Sequence, residues 1–383
     1  MNKTAKAALV AVTVAGLALA ASPAYATSWD GSTIDYVDGS GGWWEVSNGN
    51  GSTLTFLGAF SNDYGNHGPD NNTFDDGLTV TDRAETWDYT CATADWVVAT
   101  DGTGDIILTC VTETGIDLNG SAPVDVQVEL RFHDDGENKA TVRQTVLVQN
   151  NNGAAVTGAV LKILTNWYQD AYTNLVYSPT LGSKISNWPT GNSDPADVLT
   201  DADHIFVTDC PTGRYQCDPS YDPAVVYQAY SSDAAVKSTL SDTYPDLGGD
   251  AAGDLADDTA GFLYALPSIP AGDGVMIVTM VRSFMFPDGA DDDATGALAL
   301  AQSNDAVSFA QNGGWNGDCA AESQLTAGIA DFSKVVNWTT TCTSPALPDT
   351  GVSEVMMVSV TVSAALLAGA GVALLAVRRR HNI

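Results

Sequence analysis

Basic residues are scarce in this chain: 15 lysines and arginines stand against 47 aspartates and glutamates, a formal net charge of −32 over 383 residues. Phosphate backbones and anionic lipid faces repel such a polyanion, so nucleic acid is excluded as a partner. Histidine is scarcer still, with four residues, and a histidine-rich metal or catalytic centre has little to draw on. No G-x-S-x-G, H-E-x-x-H or Walker sequence occurs, which removes the common serine-hydrolase, zinc-protease and nucleotide-binding signatures. There is no metal-type pair of CxxC motifs, so a zinc site is not expected. The acidic loops match neither the EF-hand spacing nor an RTX nonapeptide.

Two ends of the chain carry patterns of their own. Residues 1–26 begin with Lys3 and Lys6, continue through an uncharged run over residues 7–21, and end in Ala24-Tyr25-Ala26. That order predicts a secretory signal peptide with Thr27 as the mature N-terminus, and the apolar run is short for a permanent membrane span. At the other end Leu347-Pro348-Asp349-Thr350-Gly351 precedes 23 uncharged residues, 355–377, and then Arg378-Arg379-Arg380. As a helix those 23 residues would reach about 35 Å, enough to cross a hydrocarbon core of about 30 Å, with the arginines held on the cytoplasmic side. Pro348 fixes its own φ and pushes Leu347 toward extended backbone, so the pentapeptide is presented as an accessible kinked strand.

This order of pentapeptide, span and basic cluster resembles the LPxTG sorting signal of sortase-anchored Gram-positive cell-wall surface proteins. The resemblance covers the tail and, more loosely, the signal peptide. It implies that a sortase cysteine attacks the Thr350 carbonyl, that Gly351 leaves, and that an amine of the peptidoglycan precursor takes up the threonyl group. The chain would be the substrate of that chemistry and not its catalyst. An ordinary membrane anchor would need no LPDTG, and a GPI signal ends without a basic cluster. The expected organisation is a signal peptide (1–26), an ectodomain (27–342), a short linker (343–346), the sorting motif (347–351), and a hydrophobic span with basic tail (352–383). Removing Lys3, Lys6, Glu354 and the three terminal arginines leaves 10 basic against 46 acidic side chains, a mature net charge near −36. The linker spans about 14 Å when extended, so the ectodomain has no stalk and is expected to sit close to its anchorage.

The six cysteines, Cys91, Cys110, Cys210, Cys217, Cys319 and Cys342, all lie in the exported part. An even number outside the cytosol implies three disulfides, for which the sequence permits 15 connectivities. Neighbour pairing is simplest for Cys210–Cys217 and Cys319–Cys342. The first pair meets an objection. If residues 87–100 and 105–114 form a hairpin turning at 101–104, position 95 faces Cys110, and Cys91 lies about 13 Å further along the strand, beyond disulfide reach unless residues 92–94 bend.

Between the ends the pattern is that of strands. Alternation is plain over residues 52–60 and 124–132, where Val124, Val126, Val128, Leu130 and Phe132 would share one face. It returns over residues 139–148 with Ala140, Val142, Val146 and Val148. A turn at 134–138 and a further strand at 159–167, apolar enough for burial on both faces, predict an antiparallel meander. Further strands are expected at 205–208, 225–230, 261–266, 275–286 and, closing the domain, 335–341. One helix is expected over 294–311, with Leu298, Ala301, Val307 and Phe309 as its stripe and Asp292 or Asp293 as its cap. The fold class is therefore mainly β: a large antiparallel β-sandwich of seven to fourteen strands with one short helix, plus a C-terminal transmembrane helix. The strands over 131–150, the strand after them, and a late strand following Ile269-Pro270-Ala271-Gly272 are similar to the mutarotase-like supersandwich.

Candidate chemistry is spread thinly. Calcium is the one cofactor the acidic loops suggest, chiefly through Asp288, Asp291 and Asp293, with further clusters at 250–258 and 63–76; solvated acidic loops are the plainer reading. Nine tryptophans, including Trp43, Trp44 and Trp167 with Tyr168 and Tyr172, invite a glycan ligand, against the reading of core and rim aromatics. His67, His133 and His204 are the only mature histidines. His133 stands beside Asp134 and Asp135, and His204 follows Asp201 and Asp203. The supersandwich resemblance implies that such a pair moves protons on a sugar, although adjacent residues of one strand do not converge on one substrate. Tyr244-Pro245 is followed by Asp246, not lysine, which argues against a pilus shaft subunit. The expected role is ligand binding or surface display at the wall, with a carbohydrate-active or glycan-binding protein as the alternative.

Overall fold

Alternation decides the centre of the molecule. Along residues 124–132 the apolar side chains Val124, Val126, Val128, Leu130 and Phe132 are all buried, while Asp125, Gln127 and Glu129 between them keep partial exposure. Period-two burial of this kind fits a strand with one core face. The computed structural model describes residues 27–29, 33–37, 43–47, 55–59, 78–83, 89, 97–101, 104–110, 112–136, 139–166, 174–183, 199–209, 224–240, 259–284 and 295–342. In chain order the strands are β1 (Thr27–Trp29), β2 (Thr33–Val37), β3 (Trp43–Ser47), β4 (Thr55–Ala59), β5 (Leu78–Asp82), β6 (Val97–Thr100), β7 (Ile106–Thr109), β8 (Glu113–Ile116), β9 (Val124–Gly136), β10 (Lys139–Gln149), β11 (Val160–Asn166), β12 (Asn174–Tyr177), β13 (Ile205–Asp209), β14 (Ala224–Gln228), β15 (Ser238–Leu240), β16 (Thr259–Ala265) and β17 (Gly274–Phe284). Two α-helices follow, α1 (Thr295–Gln311) and α2 (Cys319–Thr326).

Nine strands form one antiparallel sheet in the order β12-β13-β14-β17-β10-β9-β7-β6, with β8 also paired to β9. Its spine is β9, β10 and β17, in unbroken register from Ala140 to Gln149, with one irregularity between Lys139 and Ala140 on the β9 side: Val142 faces Phe132 on one side and Val281 on the other, and Val146 faces Val128 and Ile277. At 13 residues β9 is about 43 Å long. It seats two short strands on one edge, β7 against residues 129–132 and β8 against 124–126.

A second sheet, β15-β16-β11-β5, packs over one face of the first. Leu161 and Ile163 of β11 and Phe262 and Tyr264 of β16 meet the inward residues of β9 and β10 in one buried cluster. The expected meander is thus corrected. β11 does not follow β10 in the same sheet but crosses to the other, and β10 takes β17 as its second neighbour. Asn150 marks the departure: its buried amide donates to the carbonyls of Ala154, Ile269 and Pro270 at 2.8–3.0 Å, turning the chain off the sheet. Lys162, on the opposite face of β11, is also fully buried, so the strand is covered on both sides as its apolar run suggests. The remaining sheet, β1-β2-β3-β4, is a sequential antiparallel meander in which Trp43 pairs with Val37 and Ala59.

The other face of the large sheet is covered by helix over half its width. Ile205 and Val207, Ala224 and Val226, and Val278 and Met280 point to a cluster containing Ala306, Val307, Trp315 and Leu325. Their neighbours Phe206, Val225, Tyr227 and Ile277 point to the second sheet. Strands buried on both faces read as unbroken apolar runs, which is how residues 205–209 and 224–228 look. On the β6–β9 half no described helix lies over the sheet, and Val97 is 63% exposed. The expected helix is present as α1, but its inner stripe is Ser303, Ala306, Val307 and Ala310; Ala301 is exposed, and Asp292 and Asp293 lie outside the described residues. A second helix, α2, corrects the expectation of one. The Asp318 side chain caps it by accepting from Ala321 N–H at 2.8 Å, worth about 1 kcal/mol.

The fold is therefore mainly β, an antiparallel sandwich of at least the described 17 strands with two α-helices, more strands than the sequence suggested. The segment expected as a closing strand is not one. Val335 makes a single parallel bridge to Met276, and the residues beyond it are held by isolated backbone bonds, such as Val336 N–H to Met276 O, together with side-chain bonds from Asn337. Among the described residues no helix is long and apolar enough to cross a membrane; the expected span, 355–377, lies outside them. Cys110, Cys319 and Cys342 are disulfide-bonded, and the described residues include no free cysteine. The hairpin's register, Thr100↔Ile106 to Val97↔Thr109, is one residue off the expected one.

Candidate functional site

The polar face of β9 carries the chemistry. Glu129, Arg131, His133 and Asp135 alternate with the core residues and so share the face away from the second sheet. Strand register brings partners from three neighbours. Thr141 of β10 lies opposite both His133 and Arg282 of β17. Arg143 lies opposite Arg131. Asp105, one residue before β7, comes level with His133 because Ile106 pairs with Phe132. The turn before β7 is set by Asp101, whose side chain accepts from Asp105 N–H at 3.1 Å.

The contacts form one network. Arg131 donates from Nε to Asp105 Oδ2 at 2.7 Å and from Nη2 to Asp101. His133 Nδ1 lies 2.6 Å from Asp105 Oδ1, and its Nε2 lies 4.0 Å from Asp135 Oδ1. Arg282 grips Asp135 with two bonds, Nε to Oδ2 at 3.1 Å and Nη2 to Oδ1 at 2.9 Å, in the fork geometry that guanidinium and carboxylate favour. Arg143 pairs with Glu129 at 3.0 Å. Four carboxylates thus meet three guanidiniums, and a protonated His133 brings the described cluster to neutrality. Burial at this density is tolerated only because the charges are matched.

Two of the arginines also fasten the helical layer. Arg143 donates to the carbonyls of Gln324 at 3.3 Å and Leu325 at 3.0 Å, at the open C-terminal end of α2 where a cation is favoured. Arg282 lies over the Phe309 ring, 4.2 Å from its centroid, and donates to Gln324 Oε1 at 2.8 Å; Trp315 Nε1 donates to the same oxygen at 3.1 Å. Gln324 completes the ring by donating to Asp135.

Burial lowers the pKa of Arg131 to about 10, with the neighbouring charge of Arg143 adding to the effect. Burial also lowers Arg143 and Arg282, opposed by Glu129 and Asp135 respectively. His133 is shifted upward, first by its hydrogen bond to Asp105, with burial opposing. Its side chain is 32% exposed. Asp105 therefore holds Nδ1, and Nε2 is the ring nitrogen left to meet a ligand or exchange a proton. Asp135 is not a second free base beside it, since Arg282, Thr141 and Gln324 all donate to it.

His204 does not join this cluster. His133 is level with Thr141, Arg282, Val226 and Val207 across the sheet, so β13 stands four strand spacings away, about 19 Å. Burial lowers the pKa of His204, which stacks obliquely near Tyr230 at 5.6 Å. Its neighbour Asp203 is tied into the loop, accepting from Thr180 and Thr200 through backbone and hydroxyl at 2.6–2.9 Å. Burial pushes Asp203 up, and these bonds outweigh it, so its net shift is downward. The sorting motif Leu347 to Gly351, Cys91, Cys210, Cys217, His67, Trp167, Tyr168, Tyr172, and the acidic candidates Asp288, Asp291 and Asp293 lie outside the described residues. Among the described residues no three His, Cys, Asp or Glu side chains are arranged so that they could hold a metal ion. Sequence reasoning placed His133 beside Asp134 and Asp135 and missed Asp105, Arg131, Arg143 and Arg282. The available signal was arginine itself, set within otherwise apolar strands where a charge requires a partner.

No family model and no curated protein matches the chain. A solved structure from Klebsiella pneumoniae subsp. pneumoniae MGH 78578, provisionally named an aldose 1-epimerase, is similar at 9% identity over 71% of this chain and 83% of that one, with a TM-score of 0.31. At that level the likeness assigns no activity to this chain.

Proposed function

We propose that this chain is the precursor of a sortase-anchored surface protein, exported by residues 1–26 and joined to peptidoglycan through Thr350. The ordered series LPDTG, apolar span and three arginines carries the reading. In it the span holds the Thr350–Gly351 bond near a membrane-bound sortase. The enzyme's cysteine displaces Gly351 and passes the threonyl carbonyl to a wall amine. Oxidised cysteines in the ectodomain support export, since disulfides persist outside the cytosol. The ectodomain's role is ligand binding or display at the wall. Digesting the wall should release a chain whose last residue is Thr350 bonded to a cross-bridge fragment, seen by mass spectrometry. Full-length chain ending at Ile383 and extracted by detergent alone would refute the proposal.

A second reading, a glycan-binding or carbohydrate-active protein of supersandwich type, is favoured by one observation. His133 is oriented by Asp105 and leaves Nε2 at the partly open end of the sheet. Under it, His133→Gln abolishes glycan binding or sugar mutarotation while the circular dichroism spectrum is unchanged. Glycan-array silence of the wild-type ectodomain removes this reading and leaves the first intact.

A further inference from the structure

Residues 335–339, close ahead of the sorting signal in the chain, fill a gap in the large sheet. β14 and β17 pair from Ala224↔Phe284 to Gln228↔Met280 and no further. Val278 is left with a backbone N–H and carbonyl facing the gap, beside the Ala229 carbonyl, which also accepts from the Tyr264 hydroxyl at 3.0 Å. Asn337 fills the gap. Its Oδ1 accepts from Val278 N–H at 3.0 Å, and its Nδ2 donates to Val278 O at 2.7 Å and Ala229 O at 2.8 Å. A side-chain amide has the donor and acceptor of a peptide group, so Asn337 stands in for the missing strand neighbour.

Residues around it are fixed on both sides. Val336 N–H donates to Met276 O at 3.1 Å, Val236 N–H to Val336 O at 3.0 Å, and Ser231 N–H to Asn337 O at 3.1 Å. Trp338 Nε1 donates to Val278 O at 2.7 Å, and Asn316 Nδ2 to Thr339 O at 2.8 Å. Asn337 is fully buried, and Trp338 and Val335 nearly so. The segment therefore joins β17, the loop after β14 and the turn before α2, all of which precede it in the chain.

We propose that residues 335–339 are a folding clasp: the ectodomain closes only once Asn337 and Trp338 have docked, so the sorting pentapeptide is offered to the anchoring enzyme from an already closed domain. The clasp is a property of the fold; its coupling to attachment rests on the wall-anchoring reading. Chain order supplies the timing. During export the clasp is the last part of the ectodomain to emerge, eight residues ahead of Leu347. Fifteen residues separate Thr339 from Val355, where the apolar run begins. Extended, they reach about 50 Å, enough for the clasp to dock while the run is still in the membrane.

The test uses the full chain in a wall-bearing Gram-positive cell, with two readouts: cleavage by an external protease in a short pulse, and the fraction released only by wall digestion. Asn337→Leu keeps the side-chain size and removes the amide. It should raise the cleavage rate at least about tenfold, since proteolysis follows the population of opened chains, and should cut the wall-linked fraction by about half or more. Asn304→Ala, on the exposed face of α1, should change neither. Cleavage of Asn337→Leu at the wild-type rate overturns the clasp. Faster cleavage with a wild-type wall-linked fraction overturns the coupling to attachment. If Asn337→Leu leaves no detectable chain, Trp338→Phe, which loses one bond to Val278, decides both points by the same readouts, with an increase of about threefold expected. A wild-type chain that wall digestion does not release would defeat the anchoring reading, while the protease comparison would still judge the clasp.

Discussion

Deprotonating His133 should loosen the ectodomain, and the size of the effect follows from its surroundings. The imidazole faces Asp105 at the start of β7, Asp135 on its own strand, Thr141 on β10 and Arg282 on β17. Its pKa is raised in the folded state, chiefly by the Asp105 hydrogen bond. A group raised on folding contributes stability that is fully present below its unfolded value of about 6.5, and loses it as pH climbs through the folded value. A charge-assisted hydrogen bond contributes about 1.5–3 kcal/mol when buried. His133 is 32% exposed, so solvent screening brings the expectation to about 1 kcal/mol, or a melting shift of about 2–4 °C. Urea unfolding of wild type and His133→Gln should show a stability gap at about pH 5.5 that closes by about pH 9. Because the dense negative charge of the domain makes its own pH dependence, the difference between the two proteins is the quantity to follow. His204 works in the opposite sense. Its pKa is lowered by burial, so its contribution is lost as pH falls, and a His204→Gln background removes it. A gap that stays constant or widens with pH, or an NMR titration placing His133 below 6.5, refutes the reasoning.

Other substitutions test the same architecture. Arg143→Met keeps the bulk but frees the carbonyls at the end of α2; because Glu129 can still reach water, urea unfolding should show a loss of about 2–3 kcal/mol, under the usual cost of breaking a buried pair. Gly328 sits at φ +72°, and a Cβ there would come within 2.8 Å of Arg131 Nη1, so Gly328→Ala should cost about 1–3 kcal/mol in the same assay. Gln144 buries an amide nitrogen with no partner, although its oxygen accepts from Thr279 at 3.2 Å. Gln144→Met with Thr279→Val should therefore raise stability by about 1 kcal/mol, and a loss of that size or more would show that the polar pair is needed in the sandwich core.

How much of this was legible depended on what each residue had to satisfy. β9 and β10 could be read because one face is apolar and the other polar, and β13 and β14 because two-sided burial makes continuous apolar runs. Neighbour order was harder. β10 lies against β17, 125 residues further from Gln149 to Gly274, and no local pattern encodes that. Proximity in the chain points to β11 instead. The helix α2 is short and only weakly patterned, yet its Asp318 cap was a readable start signal. In the polar cluster, His133 was noticed for its aspartate neighbours in sequence, while its actual partner Asp105 lies 28 residues away and arrives through the Ile106↔Phe132 register. Only five arginines occur between residues 27 and 350, and three of them meet on this face. The clasp has the pattern of a strand because Val335, Val336 and Trp338 are apolar; Asn337 bonds to Val278 and Ala229 through its side chain, which a backbone pattern does not reveal.

The length of β9 has a consequence for how this domain can vary. Like a rail carrying two separate sleepers, it gives β7 and β8 independent footholds, and β8 already accommodates an irregularity between Glu113 and Ile116. Changes of length between Glu113 and Ile116, where the register already breaks, would leave β7 in place, and the Asp105–His133 contact depends on β7 alone. One edge of the large sheet can thus be rewritten locally while the ionic face behind it keeps its geometry.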